Sequence, residues 1–72
     1  MIKINERIKI VPSEDLAEMH LSGTVGRRGK VAEQIFSTGG GLIGYMVCMD
    51  KPFQSECLWF IPEDAVTYEE DN

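Results

Sequence analysis

The sequence has few of the side chains on which metal sites, disulfide scaffolds and active sites depend. Its 72 residues include two cysteines, Cys48 and Cys57, and one histidine, His20. A structural zinc site needs four ligands in closely spaced pairs, and disulfide-rich domains use more cysteines. We therefore expect no metal, no cofactor and two reduced thiols. A Cys48–Cys57 disulfide is the alternative.

Long apolar runs are also missing. No segment approaches the roughly 18–20 consecutive apolar residues of a transmembrane helix, and residues 1–6 do not have the pattern of a signal peptide. We expect one small cytoplasmic domain. Catalysis is not expected, because His20 has no acid or nucleophile at a useful spacing and Glu63 and Asp64 lie in a predicted exposed turn.

Basic residues are scarce in the second half of the chain. Residues 1–36 carry six basic against five acidic residues, whereas residues 37–72 carry one lysine against seven acidic residues. The net charge of −5 opposes binding to phosphate backbones, which depends on Lys and Arg. Arg27, Arg28 and Lys30 are the local exception, since one turn would present all three. Residues 69–72 are predicted to form an acidic disordered tail.

The sequence does contain a series of short strand patterns separated by glycine and proline. Isoleucine alternates with polar residues over 7–11, and further strands are predicted from residue 31 and over 44–50, 56–61 and 66–68. Ser13 and the acidic residues after it predict a short helical turn within the loop 12–25. Gly29 is placed at a bend or bulge, residues 39–41 at a hairpin tip, and residues 63–65 in a single turn.

These patterns predict an all-β fold. The expected architecture is a five-stranded SH3-like barrel over residues 1–68, with a long decorated loop after strand 1 and a single 3₁₀ turn before the last strand.

Two parts of the chain resemble SH3-like barrels of the KOW type. Residues 21–31, LSGTVGRRGKV, resemble the Gly-x-x-Gly-x-Val turn of that family, and residues 45–53 and 59–66 resemble its last three strands. The turn before the last strand also resembles the SH3-like subunit of photosystem I and the variable chain of ferredoxin–thioredoxin reductase. Plasmid-type dihydrofolate reductases share the barrel, but residues 58–61, LWFI, lack the Val-Gln-x-Tyr segment of that active site. The resemblance implies a fold rather than one function.

The hairpin over residues 44–61 carries the main expectation for a binding site. A turn centred between Pro52 and Phe53 would place Cys48 opposite Cys57 and Met46 opposite Trp59. The side chains then expected to point inward are Val47, Met49, Leu58 and Phe60, together with Ile8, Ile10, Val31, Ile35 and Val66. The expected outer apolar patch consists of Met46, Cys48, Cys57 and Trp59.

An exposed apolar patch of this kind marks a contact site. We expect the loop 12–25 to fold over it through Leu16, Met19 and Leu21, and the alternative leaves the patch exposed. The function indicated is a non-catalytic protein-binding module or accessory subunit that is a monomer or a weak homo-oligomer. The candidate partner-binding residues are Met46, Trp59, Phe53, Arg27, Arg28 and Lys30.

The alternative function is a KOW-like module that contacts nucleic acid or the ribosome. Arg27, Arg28 and Lys30 would contact phosphates, and Tyr45, Phe53 or Trp59 would supply a stacking surface.

Overall fold

The first strand follows from the alternation of isoleucine with charged residues. In the computed structural model, which describes residues 1–69, β1 covers Arg7–Ile10 and buries both Ile8 and Ile10. After β1 the chain forms a short helix α1, Glu14–Glu18, whose N-cap is Ser13. The Ser13 hydroxyl accepts a hydrogen bond of 3.0 Å from the backbone N–H of Leu16, as expected for a serine N-cap.

Four more strands and two 3₁₀ helices complete the described chain. The strands are β2 (Arg28–Phe36), β3 (Leu42–Phe53), β4 (Glu56–Pro62) and β5 (Val66–Tyr68), and the 3₁₀ helices are η1 (Ser22–Thr24) and η2 (Glu63–Ala65). All pairings are antiparallel, in the order β4-β3-β2-β1-β5. The predicted all-β class, the decorated loop after the first strand and the 3₁₀ turn before the last are confirmed.

The sheet is strongly curled, because its two edge strands are joined by η2 alone. In a flat five-stranded sheet the edges lie about 19 Å apart, four spacings of about 4.8 Å. The 3₁₀ helix advances about 2 Å per residue, so it carries the chain only about 8 Å from Pro62 to Val66. The end of β4 must therefore lie close to the start of β5.

The concave side of the sheet holds the core. The buried apolar residues are Ile2, Ile8, Ile10, Leu16, Val31, Tyr45, Val47, Met49, Ile61 and Ala65. The inward placement predicted for Ile8, Ile10, Val31, Val47 and Met49 is confirmed, and Val66 packs against this core while partly exposed.

A β-bulge interrupts β2 at Ala32. Val31 lies opposite Val47 and Glu33 lies opposite Met46, so Ala32 has no partner on β3. The extra residue turns Glu33 outward and moves Ile35 to the same outer side, opposite Gly44. The inward placement of Ile35 is therefore wrong. The bulge predicted at Gly29 is also wrong, since Gly29 pairs regularly with Met49 and a Cβ there would collide with the carbonyl oxygen of Cys48.

The register of the β3–β4 hairpin differs by one residue from the predicted register. Met46 lies opposite Phe60, Val47 opposite Trp59 and Cys48 opposite Leu58. The turn falls at Gln54 and Ser55, with φ of 51° and 70°, and the register shifts between Cys48 and Phe53. The pairings of Cys48 with Cys57 and of Met46 with Trp59 are therefore wrong.

A slip of one residue exchanges the two faces of a strand. Trp59, expected outside, lies opposite the buried Val47 and packs against the core. Leu58 and Phe60, both expected inside, lie together on the outer side of β4. Leu58 is 50% exposed there. Cys48 and Cys57 are both free thiols exposed to solvent.

Candidate functional site

Two neighbouring rows of side chains define the outer face of the sheet. Strand pairing places Lys30, Cys48 and Leu58 side by side on β2, β3 and β4, and it places Glu33, Met46 and Phe60 side by side on the same strands. We call these six residues the outer patch. Each row has a charged residue on β2 and apolar or weakly polar residues on β3 and β4.

The outer patch is open to solvent at its centre. Leu58 is half exposed, Cys48 and Lys30 are exposed, and Met46 and Phe60 are partly exposed. The loop 12–25, expected to cover this face, instead buries Leu16 in the core. It leaves Cys48 and Leu58 uncovered, so the expectation of a covered face is wrong here.

Basic residues border the Lys30 row. Pairing of β1 with β2 sets Lys9 opposite Arg28 and Arg7 opposite Lys30 on the outer face. Arg7 donates two hydrogen bonds, of 2.6 and 2.5 Å, to the carboxylate of Asp50. These bonds and the nearby charges of Lys30 and Arg28 hold the pKa of Asp50 below its usual range.

Arg7 also holds the end of the described chain. Its guanidinium donates from Nε to Oε2 of Glu69 at 3.1 Å, so the first residue of the predicted disordered tail is bonded to β1. The rest of that tail, residues 70–72, lies outside the described residues. Among residues 1–69 the ion pairs formed by Arg7 leave Lys9, Arg28 and Lys30 as the unpaired cations of this border.

A groove adjoins the Phe60 row. It has a volume of about 350 Å³ and is lined by Asp15, Glu18, Met19, Ile43, Phe60 and Pro62. The buried side chain of Leu16 fixes α1 against the core, so α1 forms one wall of the groove. Phe60 belongs to both the groove and the outer patch.

Three of the predicted partner-binding residues lie together on the other side of the sheet. The guanidinium carbon of Arg27 lies 4.9 Å from the centre of the Phe53 ring. That ring meets the Trp59 ring edge-on, with 5.5 Å between centroids. The Trp59 indole N–H donates to the Glu56 carbonyl at 2.9 Å.

The charged and hydrogen-bonding groups of this aromatic cluster already have partners within the chain. Its cation stacks on an aromatic face, its indole donor is bonded, and Phe53 and Trp59 pack against the core. Arg27 therefore does not act with Arg28 and Lys30, which point to the outer face. The six predicted site residues separate into two groups, one of Met46, Arg28 and Lys30 and one of Arg27, Phe53 and Trp59.

The fold and the outer patch together define a small antiparallel β domain with one open sheet face. Comparison with protein families, curated proteins and solved structures found no match. Within residues 1–69, none of the helices has the length and apolar character needed to cross a membrane.

Proposed function

We propose that the chain is a non-catalytic protein-binding module that contacts its partner through the outer patch. The observation that carries the proposal is the exposure of Leu58, which is half open to solvent on the outer face of the edge strand β4, beside the exposed Cys48 of β3. When a partner covers a large apolar side chain in that setting, apolar surface is removed from water and the free energy falls.

The surroundings of Leu58 support the same proposal. Apolar atoms of Met46, Leu58 and Phe60 form one side of the surface, on β3 and β4, and the charged Lys30 and Glu33 border them on β2. Protein interfaces commonly combine an apolar area with polar residues along its border. We also propose that the curled sheet is an SH3-like barrel. The short η2 link between its two edge strands supports this assignment.

The test compares two substitutions at equally exposed apolar positions. Leu58→Asp changes the outer patch, and Ile4→Asp changes a residue that is 53% exposed and lies outside the patch. We expect affinity purification of the tagged chain from its host, after chemical cross-linking that retains weak complexes, to recover a partner with wild type and Ile4→Asp, and to lose it with Leu58→Asp. Equal recovery with both variants, each shown to be folded by circular dichroism, contradicts the proposal.

Binding to nucleic acid is the second candidate, and the observation that favours it is the basic border. Lys9, Arg28 and Lys30 project from adjacent positions on β1 and β2. Three cations allow about three phosphate contacts, which gives weak and strongly salt-dependent binding. Asp50 and the net charge of −5 oppose it.

Fluorescence anisotropy with labelled mixed-sequence oligonucleotides at low salt tests the second candidate. The nucleic-acid candidate predicts that wild type binds the oligonucleotides and that the double variant Arg28→Glu, Lys30→Glu does not. Absence of binding by wild type, or binding unaffected by the two substitutions, eliminates this candidate.

A further inference from the structure

The two rows of the outer patch are chemical complements of one another. On β2 the cation Lys30 lies in one row and the anion Glu33 in the other. On β3 the rows supply Cys48 and Met46, and on β4 they supply Leu58 and Phe60. Each strand thus presents a matched pair, of opposite charge on β2 and of apolar character on β3 and β4.

The β-bulge at Ala32 creates this match. Glu33 lies two residues after the inward-facing Val31, so a regular strand would place Glu33 on the buried side. The unpaired Ala32 shifts the alternation and sets Glu33 opposite Met46 on the outer face. A β-bulge commonly serves to redirect a side chain in this way.

We propose that the partner covering the outer patch is a second copy of this chain. The two copies are related by a two-fold axis that lies in the plane of the contact, runs across the strands and passes between the two rows. Rotation about this axis places each row of one copy against the other row of its partner. Lys30 then faces the partner's Glu33, Cys48 faces the partner's Met46 and Leu58 faces the partner's Phe60. Each contact occurs twice, as two-fold symmetry requires. This inference rests on the proposed function.

The area limits the strength of the pair. The patch is three strands wide, about 10 Å between the outer strand axes, and the outer face of a curled sheet is convex. A contact of this size falls below the roughly 800 Å² per partner of a stable interface. The expected dissociation constant is therefore on the order of 100 µM, and screening of the Lys30–Glu33 pairs should raise it at high salt.

Exchange of the two charges provides the decisive test. Lys30→Glu would set two anions against each other in both symmetry-related contacts between the β2 strands, and Glu33→Lys would set two cations there. An equimolar mixture of the two variants restores an opposite-charge pair in both contacts. A foreign partner, or a loss of folding in either variant, would not produce this recovery.

Sedimentation velocity from about 10 µM to about 2 mM, a range that spans the expected dissociation constant, reads out the association. We expect wild type to associate, each variant alone to associate about fivefold or more weakly, and the mixture to return to the wild-type level. A monomeric wild type throughout the range overturns the inference, and so does a mixture no stronger than its components. If wild type is monomeric while Leu58→Asp still abolishes recovery of another protein, the inference fails and the proposed function stands.

A cross-link tests the register of the two copies. In a Cys57→Ser background, Met46→Cys would place a thiol opposite the partner's Cys48, so mild oxidation should give a covalent dimer. Cys57→Ser alone lacks the opposing thiol and is the matched control. Equal dimer yield from both proteins contradicts the proposed register.

Discussion

The ring of Phe60 occupies the space that a side chain on Gly44 would need. A Cβ at position 44 would lie 2.5 Å from Cζ of Phe60 and 2.5 Å from the carbonyl oxygen of Ile61. Contacts this short require either the ring or the β4 backbone to move. The absence of a side chain on Gly44 therefore leaves the space that the Phe60 ring fills between the outer patch and the groove.

Gly44→Ala should destabilise the fold by about 1–3 kcal/mol, the usual cost of adding a methyl group to a closely packed site. Gly41→Ala is the matched control, because a Cβ there meets only the Ser37 hydroxyl oxygen at 3.7 Å, and its effect should stay within about 0.5 kcal/mol. Urea unfolding of both variants measures the difference. Equal stability of the two would show that the ring is not held over Gly44.

The β3–β4 turn contains removable backbone strain. Gln54 and Ser55 both have positive φ, which two-residue hairpin turns usually satisfy with Asn-Gly. Gln54→Asn with Ser55→Gly should raise the free energy of unfolding by about 1 kcal/mol. Gly40→Ala is the opposite case, since φ is 92° and the space around it is open, and it should lower stability. A destabilised Asn-Gly variant in urea unfolding would contradict this account of the turn.

Tyr45 ties the beginning of the chain to the core. Its hydroxyl accepts a buried hydrogen bond of 3.0 Å from the backbone N–H of Ile2. Tyr45→Phe leaves that donor without its partner and should cost about 1–3 kcal/mol. Tyr68→Phe, at a residue 51% exposed, should change the urea midpoint little. Equal effects would mean that the bond contributes nothing to stability.

The Arg7–Asp50 pair should make stability depend on pH in acid. Because folding lowers the pKa of Asp50 from 3.8, its contribution is present above that value and is lost as the pH falls below it through the folded-state pKa. Asp50→Asn should therefore be less stable than wild type at neutral pH, and the gap should close in acid. Since the side chains are 40% and 47% exposed, the gap is small and shrinks with salt.

Urea midpoints measured between pH 2 and pH 7, a range chosen to bracket the usual pKa of an aspartate, test this dependence. Asp64→Asn, at an exposed position in η2, is the control for a change of net charge. A gap between wild type and Asp50→Asn that is constant over the whole range would contradict the assignment.

Local signals in the sequence are sufficient to predict the elements. The isoleucines of β1 alternate with charged residues, and the serine cap of α1 precedes two acidic residues, so each feature can be identified without its neighbours. The last strand has its predicted bounds, Val66–Tyr68, because Pro62 ends β4 and residues 63–65 have room only for a turn.

The register of the main hairpin cannot be predicted in the same way. Pro52 is a strong turn residue, whereas the observed turn at Gln54 and Ser55 contains neither glycine nor asparagine. Its strained backbone is imposed by the pairing of β3 with β4. The resulting error of one residue exchanges Leu58 and Trp59 between the two faces.

The candidate site depends on that register and on the bulge. The predicted register turns Leu58 and Phe60 inward and so assigns both to the core. Glu33 has no special signal, since the bulge lies at Ala32, a residue type with no particular preference for bulges. Only the pairing of three strands shows that Lys30 and Glu33 belong to two complementary rows.

The position of β1 between β2 and β5 has a consequence for folding kinetics. β1 pairs on one side with residues about 20 positions away and on the other with residues about 56 positions away, as in the pair of Ile10 with Val66. Loops this long must close before β5 adds any favourable contact, so folding should be slow for a chain of this size, in the range of milliseconds to seconds. During synthesis the outer edge of β1 stays unpaired until the ribosome has added residues 66–68, and until then that edge is open to association with other strands.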